Sequence, residues 1–338
     1  MLLAALILDF ALGEPPAAVH PVVWMGKLVS GLERLAPNLP ARTGRPPGRD
    51  APAERLYTRI ERDASTGVNT RTPSAPGLSL AYGALMPLVG LLTFALPAWY
   101  LLRYLRRASP PAYFVLGTLL LKSTFSVRGL FAAARRVRHA LLAGQLEEAR
   151  AHLRSLVSRD TRSLDEPLVV AAAVESVAEN SGDSFVAPVF YYTLFGVPGA
   201  LAYRVINTFD SMVGYHGRYE HLGKASARLD DLANLLPARL AGLLLVAASF
   251  LTGKGAGRAW RAMWRFHGAT ESPNAGWPMS AMAGSLDVQL VKEGHYALGE
   301  PNSPLSSEKI GEAVKVTFAA VLILTALAAS VEVLKRGR

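Results

Sequence analysis

No cysteine occurs in the 338 residues, so disulfides, thiolate nucleophiles and thiolate metal sites are excluded, leaving oxygen and imidazole as the available metal ligands. Acids are scarce too: 26 Asp and Glu face 36 Lys and Arg, for a formal net charge of +10. That balance raises nucleic acid as a partner, but aromatic and basic residues do not interleave as in single-strand binders. No zinc-finger or RNA-recognition motif is present either, so no nucleic acid is expected. A Walker loop, a G-x-S-x-G elbow and an H-E-x-x-H helix are all missing. "TGKGAGRAW", from Thr252, fails the phosphate-loop spacing and follows no strand; the longer "GKGAGRAWRAMWRF" reads as an interfacial amphipathic helix. The N-terminal "MLLAALILDFALG" has no basic leader and its apolar run stops at Asp9, which suits a short retained helix better than a cleaved signal. No repeat appears at solenoid or propeller periods.

What the chain has in plenty is apolar sequence, 51% of residues with a mean hydropathy of +0.23, more than one soluble core needs. Leu78 to Leu105 carries no charge before Arg103 and is long enough to cross a hydrocarbon core of about 30 Å. Ala313 to Leu334 is a second candidate whose trailing "KRGR" puts the C-terminus in the cytoplasm. Leu235 to Gly253 is a third, in which Arg239 must snorkel or find a partner. Pro37 to Pro76, rich in Pro, Arg and Gly, reads as a flexible loop with little chemistry. Arg103 to Glu166 holds twelve Arg and Lys against five acids, with two amphipathic helices about a Gly, and is assigned to the cytoplasm. The expectation is a mainly α, polytopic membrane protein forming a single domain over residues 1–338, with a re-entrant helical hairpin and cytoplasmic amphipathic helices.

The hairpin comes from "VESVAENSGDSFVAPVFYYTLFGVPGALAYRVINTFDS", Val174 to Ser211. Its apolar halves are each about ten residues long and are separated by the helix breaker "GVPG", so the reading has two short half-helices turning back. Asn180 and Asp183 would then meet Asn207 and Asp210 on one side. Upstream, Glu175, Glu179 and Asp183 are spaced i, i+4, i+8, which in a helix places three carboxylates on nearly one face. A solvated helix face paired with Arg is the ordinary explanation of such spacing. At the edge of an apolar segment, however, ionisable groups are costly and usually functional. Asp230, Asp231 and Asn234 repeat the pattern before the third apolar run. Two such clusters suit an oxygen-ligand site for Mg2+, which takes a few carboxylates plus phosphate oxygens. His20, before a proline, could be a general base or a phosphate contact, with a capped turn the more ordinary reading.

"ESVAENSGDSFVAP", "YRVINTFDSMVGY", "DDLANLLPAR" and "SPNAGWPMSAMAGSL", in this order, resemble the adenosylcobinamide-phosphate synthase family of cobalamin biosynthesis. "LDFALGEPPAAVHPVVWMG" and "VSRDT" extend the resemblance over nearly the whole chain. It implies ATP- and Mg2+-dependent amide formation between the corrinoid adenosylcobyric acid and aminopropanol or its phosphate, by a multi-pass protein of the cell inner membrane with a cytoplasmic active site. The lipid bilayer is then a partner, and there is room for a homo-oligomer or association with other cobalamin-assembly enzymes. Catalytic candidates are Glu175, Glu179, Asp183, Asp210 and His20; metal candidates are Glu179, Asp183, Asp230 and Asp231. Arg159, Arg204, Lys224 and Arg239 would meet phosphate or carboxylate, while Asn180, Asn207, Asn234, Ser272 and Asn274 would orient the corrinoid amides. The chain departs from the family pattern at Glu14 (commonly Asp), Met279 (usually acidic), Arg204 (usually Lys) and Asp287 (commonly Gly). A transporter would also use carboxylates and broken helices, though no matching interrupted pair occurs in two halves. A silent membrane sensor derived from the family would be expected to have lost several acids together.

Overall fold

The computed structural model describes residues 1–36, 76–215, 217 and 219–336. The expected loop from Pro37 lies outside them, except for its last residue, where a helix begins. Prolines and short polar caps set most helix starts. α1 (Leu2–Leu12) is followed by α2 (Pro21–Leu35), whose first turn is capped by His20 with Pro21 pre-set for helix. α3 (Pro76–Gly90), a π-turn (Leu91–Ala95) and α4 (Leu96–Ala108) form one long apolar rod. Ser109 caps α5 (Pro110–Lys122), and α6 (Val127–Leu142) follows after a four-residue break. α7 (Leu146–Leu153) completes the pair of helices about Gly144 that the sequence suggested.

Asp165 caps α8 (Glu166–Ser181), which a second π-turn (Gly182–Val186) joins to α9 (Ala187–Val213). α10 (Lys224–Leu251), α11 (Ala256–Phe266) and α12 (Gly276–Leu286) come next. A small antiparallel hairpin, β1 (Leu290–Lys292) and β2 (Tyr296–Leu298), leads to α13 (Ser307–Arg336). The centre of the bundle is α8: Val169 to Val174, Val177 and Ala178 are all fully buried. Its small Ala and Val side chains let α6, α12 and α13 approach on all sides.

Among the described residues, five helical stretches are long and apolar enough to cross a membrane: Gly77–Ala108, Pro110–Leu142, Glu166–Val213, Lys224–Leu251 and Ser307–Lys335. The chain is a multi-pass membrane protein. One of the five, Pro110–Leu142, falls within the Arg103 to Glu166 region that the sequence reading assigns to the cytoplasm. Lys122 ends α5 just after the apolar run "PPAYFVLGTLLL", and in the fold it is 6% exposed and ion-paired to Asp9. Leu85, Leu88, Leu92, Trp99 and Leu101 leave the α3–α4 rod exposed along one side, as a lipid-facing helix requires. The protein is therefore expected to stay in the membrane pellet through alkaline carbonate washing, and release into the supernatant would contradict this architecture.

Both π-turns precede a proline at the second position of the next helix, Pro97 and Pro188. A proline ring crowds the carbonyl four residues back and has no N–H to offer it, so the widened turn relieves a clash. Further on, α9 breaks at Gly196, whose φ of 71° and ψ of −165° suit only glycine. The chain doubles back there. Tyr191 and Tyr203 stack with centroids 5.4 Å apart, whereas twelve residues of straight helix would separate them by about 18 Å. The limbs are longer than the two ten-residue halves expected. The first runs from Glu166 through the π-turn: Glu175 is buried against Arg159 and Glu179 is exposed, and neither terminates the helix. Asp287, unexplained in the sequence, sits in the left-handed region (φ 58°) at the end of α12, where Asp is among the better-tolerated non-glycine residues. Its carboxylate is held by Arg258 at 3.2 Å and Asn302 at 2.9 Å.

Candidate functional site

The hairpin limbs and α10 bring the two acidic clusters together. Tyr203 Oη donates to Asn234 Oδ1 at 3.0 Å and lies 3.4 Å from Asp183 Oδ1. Asn234 Nδ2 donates to Asp230 Oδ2 at 2.9 Å, and Asn207 Nδ2 approaches Asp230 Oδ1 at 3.4 Å. Arg204 Nη1 closes the chain on Asn207 Oδ1 at 3.2 Å. A phenol carries one proton, and Asn234 is its nearer acceptor, so Asp183 is only weakly satisfied by protein. Asp210 is an electrostatic neighbour of both Asp183 and Asp230, and its carboxylate lies over Gly214, where a β-carbon would come within 2.0 Å of Oδ1. Asp231 reaches Arg228 at 4.0 Å and is an electrostatic neighbour of Asp210 and Asp230.

Glu179 links this group to a second one, since it interacts electrostatically with Asp183, Glu175 and Lys292. Arg159 Nη2 donates to Glu175 Oε2 at 3.1 Å. β1 and β2 pair Lys292 with Tyr296, and the ammonium stands 5.9 Å from the phenol ring. Burial pushes the Tyr296 hydroxyl up, and the Glu175 and Glu179 carboxylates push it further, so it stays protonated as a donor facing acids. Its Oη also lies 3.9 Å from Met279 Sδ. Met279 thus offers a soft thioether against Tyr296.

A third group stands at the N-terminal end. Lys122 Nζ pairs with Asp9 Oδ1 at 3.1 Å and Glu14 Oε1 at 3.0 Å, and His20 Nε2 meets Glu14 Oε2 at 2.7 Å. His20 Nδ1 accepts from Val22 N, so both ring nitrogens are engaged, as in the capped-turn reading. Burial tends to raise the Glu14 carboxyl, but hydrogen bonds from His20 and Ser126, with the charge and hydrogen bond of Lys122, outweigh it and hold the pKa at about 2. The folded value is below the reference of 4.5, so this bracing is present above pH 4.5 and lost as pH falls towards about 2.

The remaining sequence candidates are more peripheral. Asn180 donates to Ser176 of its own helix, Ser272 accepts from the Asn274 backbone, and Lys224 is exposed two turns before Asp231. Arg239 finds the partner it needed: it donates to Leu235 O and Asn274 Oδ1 and lies 4.8 Å over the Trp277 ring. Asn274 in turn donates to Asp231 O at 2.8 Å, tying the loop to α10. Sequence reasoning did not single out Tyr203, Lys122, Lys292 or Tyr296. Asp9 and Lys122 carried a usable signal, being opposite charges stranded in separate apolar runs. Tyr203, Lys292 and Tyr296 carried none.

Among the described residues no three acids or histidines converge to enclose one metal ion. Asp183 and Asp230 are the two carboxylates that would be available to a Mg2+ ion whose other oxygens came from a phosphate, an ion that rarely uses an all-protein cage. Arg159 Nε and Arg204 Nε are buried donors without a partner among the described residues, so both guanidiniums keep capacity for an anion.

The CobD/Cbib protein family model matches residues 2–324. A cobalamin biosynthesis protein CobD from Dehalococcoides mccartyi is 44% identical over 91% of this chain and 89% of its own length. A probable cobalamin biosynthesis protein CobD from Methanothermobacter thermautotrophicus is 37% identical over 98% and 97%, and the cobalamin biosynthesis protein CbiB of Salmonella typhi 32% identical over 96% and 94%. No solved structure matches the chain. A family model matched over residues 2–324 and a relative 44% identical over 91% of the chain leave one assignment: the chain belongs to the CobD/CbiB family of cobalamin biosynthesis proteins.

Proposed function

We propose that the chain is an acid–amine ligase of the inner membrane, joining the corrinoid adenosylcobyric acid to aminopropanol or its phosphate at a site open to the cytoplasm. The observation that carries this reading is the charge imbalance around Asp183. Asp183, Asp210 and Asp230 lie in mutual electrostatic range, and Arg204 is the guanidinium acting on that group. Such a group calls for a cation from outside the protein, while the spare donors of Arg159 and Arg204 call for an anion. A reaction that brings phosphate, a divalent cation and an amine together meets both demands.

In this scheme an oxygen of the corrinoid carboxylate attacks the γ-phosphorus of ATP and ADP leaves. The amine nitrogen then attacks the acyl carbon, phosphate leaves, and one proton passes from nitrogen to a carboxylate. Bound Mg2+ would supply charge neutralisation at the phosphates, held by Asp183 and Asp230. Arg159 and Arg204 orient the anionic groups, and Glu179 or Asp210 accepts the amine proton. Purified protein in nanodiscs, given adenosylcobyric acid, ATP, Mg2+ and either amine, is expected to yield the amide with one ADP per product by mass spectrometry. ATP turnover without a new C–N bond, or none with both amines, would remove the ligase reading. Movement of unaltered corrinoid across the bilayer would favour the transporter instead.

A further inference from the structure

We propose that Lys122, Glu14 and His20 are positioning residues for Asp183, acting through the α5–α6 junction. The inference rests on the ligase reading only for its activity readout. Asp183 lies in the π-turn, one residue before Ser184. In an ordinary helix the Ser184 carbonyl would accept from residue 188, but residue 188 is proline and has no N–H. Ser126 N, from the junction between α5 and α6, donates to that carbonyl at 3.3 Å. The adjacent Phe125 packs edge-on against Phe185 of the same π-turn, centroids 5.4 Å apart. One backbone hydrogen bond and one aromatic contact thus join the junction to the turn that carries Asp183.

The junction is itself fixed by the ionic group. Lys122 is its first anchor, locked between Asp9 and Glu14 at 3.1 and 3.0 Å with its side chain 7% exposed. Ser126 is the second, since its side chain acts on the Glu14 carboxylate. Asp9 Oδ2 accepts from Val127 N and Arg128 N at 3.1 and 2.9 Å, capping α6, while Arg128 Nη1 closes the carbonyl end of α1 on Phe10 O and Ala11 O. His20 holds the remaining Glu14 oxygen. These charges pair with one another. A network of this size is more than α1 needs to pack. Its output is the placement of Ser126, and therefore of the turn that aims Asp183.

The test compares Glu14→Gln, Glu14→Asp, Lys122→Met and His20→Asn in nanodiscs, each checked for folding by thermal unfolding. His20→Asn keeps an acceptor for Val22 N but withdraws the contact to Glu14, so it remains informative if Lys122→Met does not fold. Glu14→Gln and His20→Asn are expected to lower kcat about 10- to 100-fold, the usual effect of losing an outer-shell partner, with the KM for ATP unchanged. The Mg2+ concentration for half-maximal rate should rise with it. Glu14→Asp, which restores the charge, should recover most of the rate. Hydrogen exchange of the peptide spanning residues 182–190 should quicken in Glu14→Gln, His20→Asn and folded Lys122→Met but not in Glu14→Asp, a readout that survives if the ligase reading fails. Wild-type kcat and Mg2+ dependence in folded Glu14→Gln, or unchanged exchange over residues 182–190, would overturn the proposal. So would a loss of rate in proportion to lost folded protein that Glu14→Asp does not repair.

Discussion

Asp183→Asn is expected to lower amide formation by about 10²- to 10³-fold while leaving the protein as stable as before or more so. The two effects have opposite signs for one reason. Asp183 is surrounded by Asp210, Asp230 and Glu179, with Arg204 acting on it and the Tyr203 hydroxyl 3.4 Å away. Without a bound cation its negative charge repels its neighbours, so an uncharged isostere relieves the resting protein. The same charge is what would hold Mg2+ against phosphate. Added Mg2+ should therefore raise the unfolding temperature of the wild type and not of Asp183→Asn, because a ligand stabilises only the state it binds. Glu179→Gln should share the loss of rate. Its effect on the Mg2+ stabilisation should be smaller, since Lys292 already acts on Glu179. The metal reading of Asp183 fails if the variant turns over like wild type with the same Mg2+ dependence, or if both proteins gain equally from Mg2+.

Much of this arrangement was legible from spacing. Leu78 to Leu105 announces a span because nothing polar interrupts it, and the i, i+4, i+8 acids fall on one line whether or not the helix contains a π-turn. "GVPG" gave the reversal, because only glycine takes the backbone angles found at Gly196. Limb length was not legible, since acids in an apolar stretch look like a helix end until their partners are known. The span from Pro110 was hidden in a related way: Lys122 reads as a charge stranded at the end of an apolar run, and only the fold shows Asp9 and Glu14 waiting for it. Lys292 and Tyr296 were beyond reach for a different reason. They sit more than a hundred residues after Glu175, on a three-residue strand pair whose placement over α8 depends on tertiary packing. No local pattern encodes that contact. Asn274 and Arg239 were visible as polar residues in apolar surroundings, yet the fold uses them to tie a loop to α10.

Glu175 separates structural from catalytic charge most sharply, because its partner is known. Arg159→Met would leave the Glu175 carboxylate, whose side chain is 7% exposed, without its guanidinium. Breaking a buried pair by removing one member costs about 3 kcal/mol or more, whereas removing both charges together is often nearly neutral. Glu175→Gln should be milder, because Arg159, 19% exposed, can still reach water. The double variant Arg159→Met with Glu175→Gln is then expected to be more stable than Arg159→Met alone, by about 2 kcal/mol in a double-mutant cycle. Its activity should not return with its stability, because Arg159 keeps a buried Nε donor that the pairing with Glu175 leaves unused. Urea unfolding of the two single variants and the double, alongside the rate at saturating and limiting ATP, measures both halves. A double variant no more stable than Arg159→Met would show that Lys292 and Tyr296 already satisfy Glu175. Full recovery of rate together with stability would make the Arg159–Glu175 pair a strut, and would confine the chemistry to Glu179, Asp183, Asp210 and Asp230.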